Sequence, residues 1–255
     1  MSSYNAPLAD MWFVLRELVG IEELSRLPGF DNASIDTIES VLNEAAKFSA
    51  EVLAPLNSTG DRQGASWENG VVRMPEGFRA AYQTFTANGW GSLGCEPEFG
   101  GMSVPRVSTA AVREMLNAAN MAFGLCPVLT GGAVEALSLS ASEEIKRRFL
   151  PPMVTGEWTG TMNLTEPQAG SDVGALRTRA IAQPDGTYRI TGQKIFITWG
   201  EHPLTENIVH LVLARTPDAP AGTKGISCFI VPKFLVNDDG SLGERNDVRV
   251  VSVEH

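Results

Sequence analysis

A chain of 255 residues with 43% hydrophobic content has enough apolar material for one large domain or two ordinary ones, so a packed protein rather than a disordered one is expected. The formal net charge of -10 speaks against a general affinity for nucleic-acid phosphates or anionic lipid, which the summed field repels. Cys95, Cys126 and Cys228 stand in unrelated contexts with no CxxC pair, so neither a disulfide framework nor a zinc site is read from them, and free thiols in a reducing cytoplasm are expected.

The first apolar stretch, Met11 to Val19, is broken by Arg16 and Glu17 and preceded by Asp10, which excludes a signal-peptide core or a membrane span there. Leu8, Met11, Trp12, Leu15, Leu18 and Val19 instead form one helical stripe. Ile35, Ile38, Val41, Leu42, Ala45, Phe48 and Val52 form a second, predicted to begin at an Asn32 to Ser34 capping region and to stop before Pro55. A third helix is predicted over Phe78 to Phe85, running out at Asn88-Gly89. Glu96-Pro97-Glu98-Phe99-Gly100-Gly101 is a glycine-rich loop, either a plain connector or something more, and Gly131-Gly132 reads as a break between helices. Helical pattern resumes over Val107 to Ala119 and again from Ser142 to Phe149, until Pro151-Pro152 is expected to end it. That pair sets the expected boundary between an N-terminal helical domain, residues 1–152, and a second domain, residues 153–255.

Beyond the boundary the pattern changes to short β-branched and aromatic runs: Arg189 to Thr191, Lys194 to Thr198, Asn207 to Ala214, Ile226 to Val231 and Val248 to Val253. Pro184-Asp185-Gly186 supplies a turn between antiparallel strands. The fold class is therefore α+β, an all-α domain followed by an antiparallel β-barrel or sandwich.

Two segments carry chemistry. In Thr161-Met162-Asn163-Leu164-Thr165-Glu166-Pro167-Gln168-Ala169-Gly170-Ser171-Asp172, a strand enters a turn where Gly170 lets a ligand approach the backbone and Ser171 offers a hydroxyl; by chemistry alone it is equally a plain loop. In Gly192-Gln193-Lys194-Ile195-Phe196-Ile197-Thr198-Trp199-Gly200, a strand would place Phe196 and Thr198 on one face, able to flank a flat heteroaromatic ring, or simply a core Phe and a structural Thr.

Together the two segments resemble the middle-domain signature of the acyl-CoA dehydrogenase family, T-E-P-x-A-G-S-D followed by G-x-K-x-[WF]-I-[TS], matched by Thr165 to Asp172 and Gly192 to Thr198. Lys224 to Pro232 resembles the family's K-G-I-[ST]-x-F-[IL]-V strand, and the P-E-x-x-G-G loop is typical of its helical part. The opening, Tyr4-Asn5-Ala6-Pro7-Leu8 with Met11, Phe13 and Val14, is similar to the branch that contains 3-methylmercaptopropionyl-CoA dehydrogenases.

The resemblance implies FAD as cofactor, with Met162, Leu164, Thr165, Gly170, Ser171, Phe196, Ile197 and Thr198 as its contacts and Ser171 also near the acyl-CoA path. Phe196 stands where the family often has Trp, and Met162 where many members carry an aromatic. The implied reaction removes the α-proton of an acyl-CoA thioester with a carboxylate and transfers the β-hydrogen as hydride to flavin N5, electrons then passing to an electron-transfer flavoprotein. The family assembles as homodimers or homotetramers and its base is a glutamate on a C-terminal helical bundle, so no catalytic residue is expected within these residues and the strand-like run Val248 to His255 reads as a truncated end. Glu166 is expected to be structural, and His202 and His210 to be core or surface histidines. The same scaffold also carries acyl-CoA oxidases, nitroalkane oxidases, flavin monooxygenases and DNA-associated alkylation-response flavoproteins, and an interaction module is the remaining alternative.

Overall fold

A computed structural model describes residues 4–30 and 33–254. α1 (Leu8–Phe13) runs on as a π-helical turn, Val14–Val19, followed by the short α2 (Ile21–Leu24). Met11 and Leu15 face inward, whereas Leu18 is 71% exposed. The extra residue per turn of the π geometry rotates Leu18 off the stripe to which α-helical spacing assigns it.

α3 (Ile35–Phe48) is capped by Ser34, whose Oγ accepts from the Thr37 amide at 3.1 Å; Asn32 of the expected cap lies outside the described residues. The helix does not stop before Pro55. A π turn, Ser49–Leu53, leads into α4 (Ala54–Gln63), which carries Pro55 in its first turn. The missing proline N–H falls where the ladder is already irregular, because in the π turn the Ala54 amide reaches back five residues to the Ser49 carbonyl. A hairpin, β1 (Ser66–Glu68) and β2 (Val71–Arg73), then interrupts the helical part, turning at Asn69 (φ 50°) and Gly70 (φ 80°). Asn-Gly is a strong hairpin signal, and it stood in the sequence.

α5 (Phe78–Ala87) ends at Asn88-Gly89 as expected, and α6 (Arg106–Ala119) follows the 96–101 loop. α7 (Met121–Ser140) runs unbroken through Gly131-Gly132, and α8 (Glu143–Thr155) through Pro151-Pro152 to Gly156. Phe149, Leu150, Met153 and Val154 of α8 are all buried. At roughly 1.5–3 kcal/mol each, their burial together matches or exceeds a cost of about 3 kcal/mol for each of the two interior prolines.

The second part holds β3 (Trp158–Asn163), β4 (Arg179–Ala182), β5 (Tyr188–Thr191), β6 (Asn207–Ala214), β7 (Ser227–Pro232), β8 (Phe234–Val236) and β9 (Leu242–Arg245). They form a three-stranded sheet in the order β3-β6-β7 and the hairpins β4-β5 and β8-β9, and among the described residues the strands do not close into a barrel. The central sheet is mixed: β3 runs parallel to β6, and β7 antiparallel. Pro184-Asp185-Gly186 does turn β4 into β5, Asp185 accepting from the Thr187 amide and hydroxyl. Two expected strands are absent: Lys194 to Thr198 is irregular and Val248 to Val253 joins no ladder.

α7 belongs to both cores. Its first half packs Phe123 and Cys126 with Phe48, Phe78 and Phe85, and its second half packs Ala133, Val134 and Leu137 against Met153, Trp158, Val209 and Leu211. It is long and apolar enough by composition to cross a bilayer, yet these burials make it the central helix of the fold. β3 crosses it at Gly160, where a Cβ would lie 2.6 Å from that of Ala133, and the Gly160 amide donates to Thr130 Oγ1 at 3.1 Å.

Candidate functional site

Alternation along β3 gives its two faces different chemistry. Trp158 and Met162 lie with the apolar core under α7 and α8, while Thr159, Thr161 and Asn163 are buried polar residues of the other face. Past Asn163 the chain leaves the ladder and meets the second signature segment: Lys194 Nζ donates to the Leu164 carbonyl at 3.0 Å and the Ile195 amide to the Thr165 carbonyl at 3.0 Å. The two segments therefore lie side by side.

Glu166 holds them there. Its Oε1 accepts from Lys194 Nζ (2.8 Å), Thr178 Oγ1 (2.6 Å) and the Thr178 amide (3.0 Å), and its Oε2 from the Arg177 amide (2.7 Å) and Gln168 Nε2 (2.6 Å). The two side chains of the Lys194–Glu166 pair are 8% and 4% exposed. Burial pushes the carboxyl upward, but the hydrogen bonds led by Lys194 and Thr178 outweigh it and bring its pKa down to about 2. A carboxylate so bonded and so acidic is a fastener, not a proton acceptor. Reciprocal bonds between the backbones of Glu166 and Ala169 close the tight turn before Gly170 and Ser171, both exposed.

The expected strand at Lys194 to Thr198 fails because Phe196 sits at φ 56° and Trp199 at φ 55°, and a left-handed residue cannot continue a pleat. Each costs about 1–3 kcal/mol of backbone strain, which persists only where surrounding contacts impose it. The result is a tight turn, with the Gly200 amide on the Ile197 carbonyl at 3.0 Å. It leaves the Phe196 ring 67% exposed, Thr198 exposed and Ile197 half-buried. Phe196 and Thr198 are thus displayed by a turn beside Leu164 and Thr165, both half-buried.

Met162 differs from the other expected contacts, since it packs on the helix side of β3. A cleft of about 590 Å³ between Asn5, Leu8, Glu44 and Lys47 shares no residue with either segment. The display is an open surface: one exposed ring, the hydroxyls of Thr165, Ser171 and Thr198, and a nearby ion pair whose charges cancel. That chemistry suits the face and polar edge of a flat heteroaromatic ring.

Behind this surface lie the histidines, both buried. His202 Nδ1 accepts from the Leu204 amide at 3.2 Å, so its Nε2 carries the proton toward Thr159 Oγ1 at 3.0 Å. His210 Nδ1 lies 2.7 Å from Thr161 Oγ1, which bonds Asn163 Oδ1 at 2.7 Å. Burial, with the charge of Lys233 adding to it, lowers their pKa values to about 3 and about 4. Arg215 organises the segment after Asp172, donating to the carbonyls of Gly174, Leu176, Pro220 and Gly222 at 2.6–3.2 Å. Sequence reasoning did not single out Lys194, Thr178, Trp199 or Arg215. Lys194 stood inside the signature, whereas Thr178 and Arg215 gave no local signal.

Family profiles described as "Acyl-CoA dehydrogenase, N-terminal domain" and "Acyl-CoA dehydrogenase, middle domain" match residues 36–157 and 161–247. The chain is 49% identical, over 99% of its length and 43% of the relative's, to 3-methylmercaptopropionyl-CoA dehydrogenase of Ruegeria pomeroyi. It is 42% identical, over 99% and 42%, to a butyryl-CoA dehydrogenase of Syntrophomonas wolfei. It therefore spans less than half the length of these curated relatives. The structure of butyryl-CoA dehydrogenase from Megasphaera elsdenii superposes with a TM-score of 0.64 at 25% identity, over 78% of this chain and 49% of that one.

Proposed function

We propose, on the premise that this chain belongs to the acyl-CoA dehydrogenase family, that the protein carrying it is a flavin-dependent dehydrogenase that oxidises an acyl-CoA thioester to the 2,3-enoyl-CoA. The observation that carries the reading is the pairing of the two signature segments by Lys194, Ile195 and Glu166, which displays Thr165, Phe196 and Thr198 together. The favoured substrate is 3-methylmercaptopropionyl-CoA, supported by the 49% identity to the Ruegeria pomeroyi enzyme.

When bound, FAD supplies the hydride acceptor at its N5 position. Phe196 would give an apolar face for the ring, Leu164, Thr165, Ile197 and Thr198 would line its edge, and Gly170 and Ser171 would offer backbone and hydroxyl to the phosphate and acyl-CoA side. Met162 supports this strand from behind through its packing on the second core. Hydroxyls and amides fixed before reaction stabilise arriving charge without reorganising. Glu166 does not take the α-proton, because all its lone pairs face donors; no residue of this chain, which spans 43% of the Ruegeria pomeroyi relative, is assigned that role. Electrons then leave to an electron-transfer flavoprotein, from an oligomeric enzyme acting in the cytoplasm.

The test is anaerobic titration of the intact, FAD-loaded protein with 3-methylmercaptopropionyl-CoA and with butyryl-CoA. Bleaching of the flavin band by the thioesters, most readily by the first, is expected, with turnover sustained by a dye acceptor. Failure to bind FAD refutes the reading, and peroxide formation in air without an acceptor moves it to an oxidase.

A further inference from the structure

The geometry points to Trp199 as a positioning residue: anchored on α7, it holds the turn that presents Phe196 and Thr198, so that the helical part sets the shape of the surface assigned above to the flavin. The inference depends on that assignment. The Trp199 indole N–H donates to the Ala122 carbonyl, in the first turn of α7, at 2.9 Å across 77 residues of sequence. Its ring stacks on Phe78 of α5, with centroids 6.5 Å apart and planes at 29°, and meets the edge of His202 at 5.4 Å.

The start of α7 is itself fixed. Asn120, 1% exposed, caps it by accepting from the Phe123 amide at 3.0 Å and donates through Nδ2 to the Leu53 carbonyl at 3.2 Å. A continuous set of bonds thus joins the π turn ahead of Pro55, through Asn120 and Ala122, to Trp199. At the other end of the turn, Lys194 and Ile195 are bonded to Leu164, Thr165 and Glu166.

Phe196 to Trp199 is therefore gripped at both ends, by the β part before it and by the helical part after it. Two of its four residues are left-handed without being glycine, a state that persists only where the surroundings over-determine it. Released from Ala122, the turn would relax toward ordinary dihedrals, and Phe196, which has little packing of its own, would move with it. Glu166 and Lys194 fix only one end of this turn. Trp199 touches neither flavin nor substrate in this scheme and acts through the residues it places.

The experiment compares the intact wild-type protein with Trp199→Phe, which keeps an aromatic ring against Phe78 but loses the N–H, and with Trp199→His, which keeps an N–H donor on a smaller ring. In the apo-proteins, hydrogen exchange of the 195–200 amides is expected to rise about tenfold in Trp199→Phe and less in Trp199→His, with exchange in β3 and β6 unchanged. On titration with FAD, Trp199→Phe is expected to bind three- to tenfold more weakly and to shift the visible flavin band, with Trp199→His nearer to wild type. Unchanged exchange overturns the anchoring. Raised exchange with unaltered FAD affinity and flavin band overturns the link to the site. Wild-type protein that binds no FAD overturns the functional reading instead, leaving the exchange comparison to judge the anchor. Should Trp199→Phe not fold, exchange of the Trp199 indole N–H in the wild-type apo-protein takes its place: slow exchange upholds the anchor on Ala122, and exchange at the rate of a free indole overturns it.

Discussion

Removing either partner of the Lys194–Glu166 pair should destabilise the protein, but not equally. A buried ion pair that loses one member leaves an uncompensated charge, at a cost of about 3–5 kcal/mol. Lys194→Met leaves Glu166 with four other donors, from Gln168, Arg177 and Thr178, and falls at the low end. Glu166→Gln leaves the ammonium with the Leu164 carbonyl and the new amide oxygen, and it turns one acceptor into an NH₂ aimed at groups that are themselves donors. It falls at the high end. Urea unfolding of the intact protein should rank the two in that order, and the double variant should cost at least about 1 kcal/mol less than the sum of the singles. A single variant within about 0.5 kcal/mol of wild type, or Lys194→Met costlier than Glu166→Gln, refutes the account. The pH dependence has a definite sign. Because the folded pKa of Glu166 is held at about 2, below its ordinary 4.5, the stabilisation is present above pH 4.5 and lost as pH falls from there toward 2.

The neutral, buried His202 and His210 act over a higher window: their folded pKa values, about 3 and about 4, lie below the ordinary 6.5. Their contribution is intact above pH 6.5 and declines below it by up to about 1.4 kcal/mol per pH unit for each residue, so thermal melts should drop from pH 6.5 to 4.5 and His210→Gln should flatten the curve. Phe196→Gly relieves a left-handed side chain and removes an exposed ring, so Tm should hold or rise while FAD affinity, read by fluorescence titration, falls at least tenfold. Gly192→Ala would put a Cβ 2.3 Å from the Thr178 hydroxyl that bonds Glu166; a loss of about 1–3 kcal/mol in urea unfolding is expected, with weaker FAD binding alongside.

Helix positions were legible because an amphipathic stripe is a local pattern: Ile38, Leu42, Ala45 and Phe48 face the core as their spacing predicts. The same local rules misjudged Pro55 and Pro151-Pro152, where a π turn and the burial of Leu150, Met153 and Val154 overrode the breaker signals. They also read Lys194 to Thr198 as a strand, since β-branched and aromatic composition cannot report that Phe196 will be held left-handed.

The sequence by itself determined the order of helical and β parts and the motifs of the two facing segments, because those are written in neighbouring residues. Only the tertiary structure decided how the segments are joined. Glu166 meets Lys194 across 28 residues, and Trp199 meets Ala122 across 77. Such contacts depend on where packed elements bring side chains in space, which no spacing along the chain records.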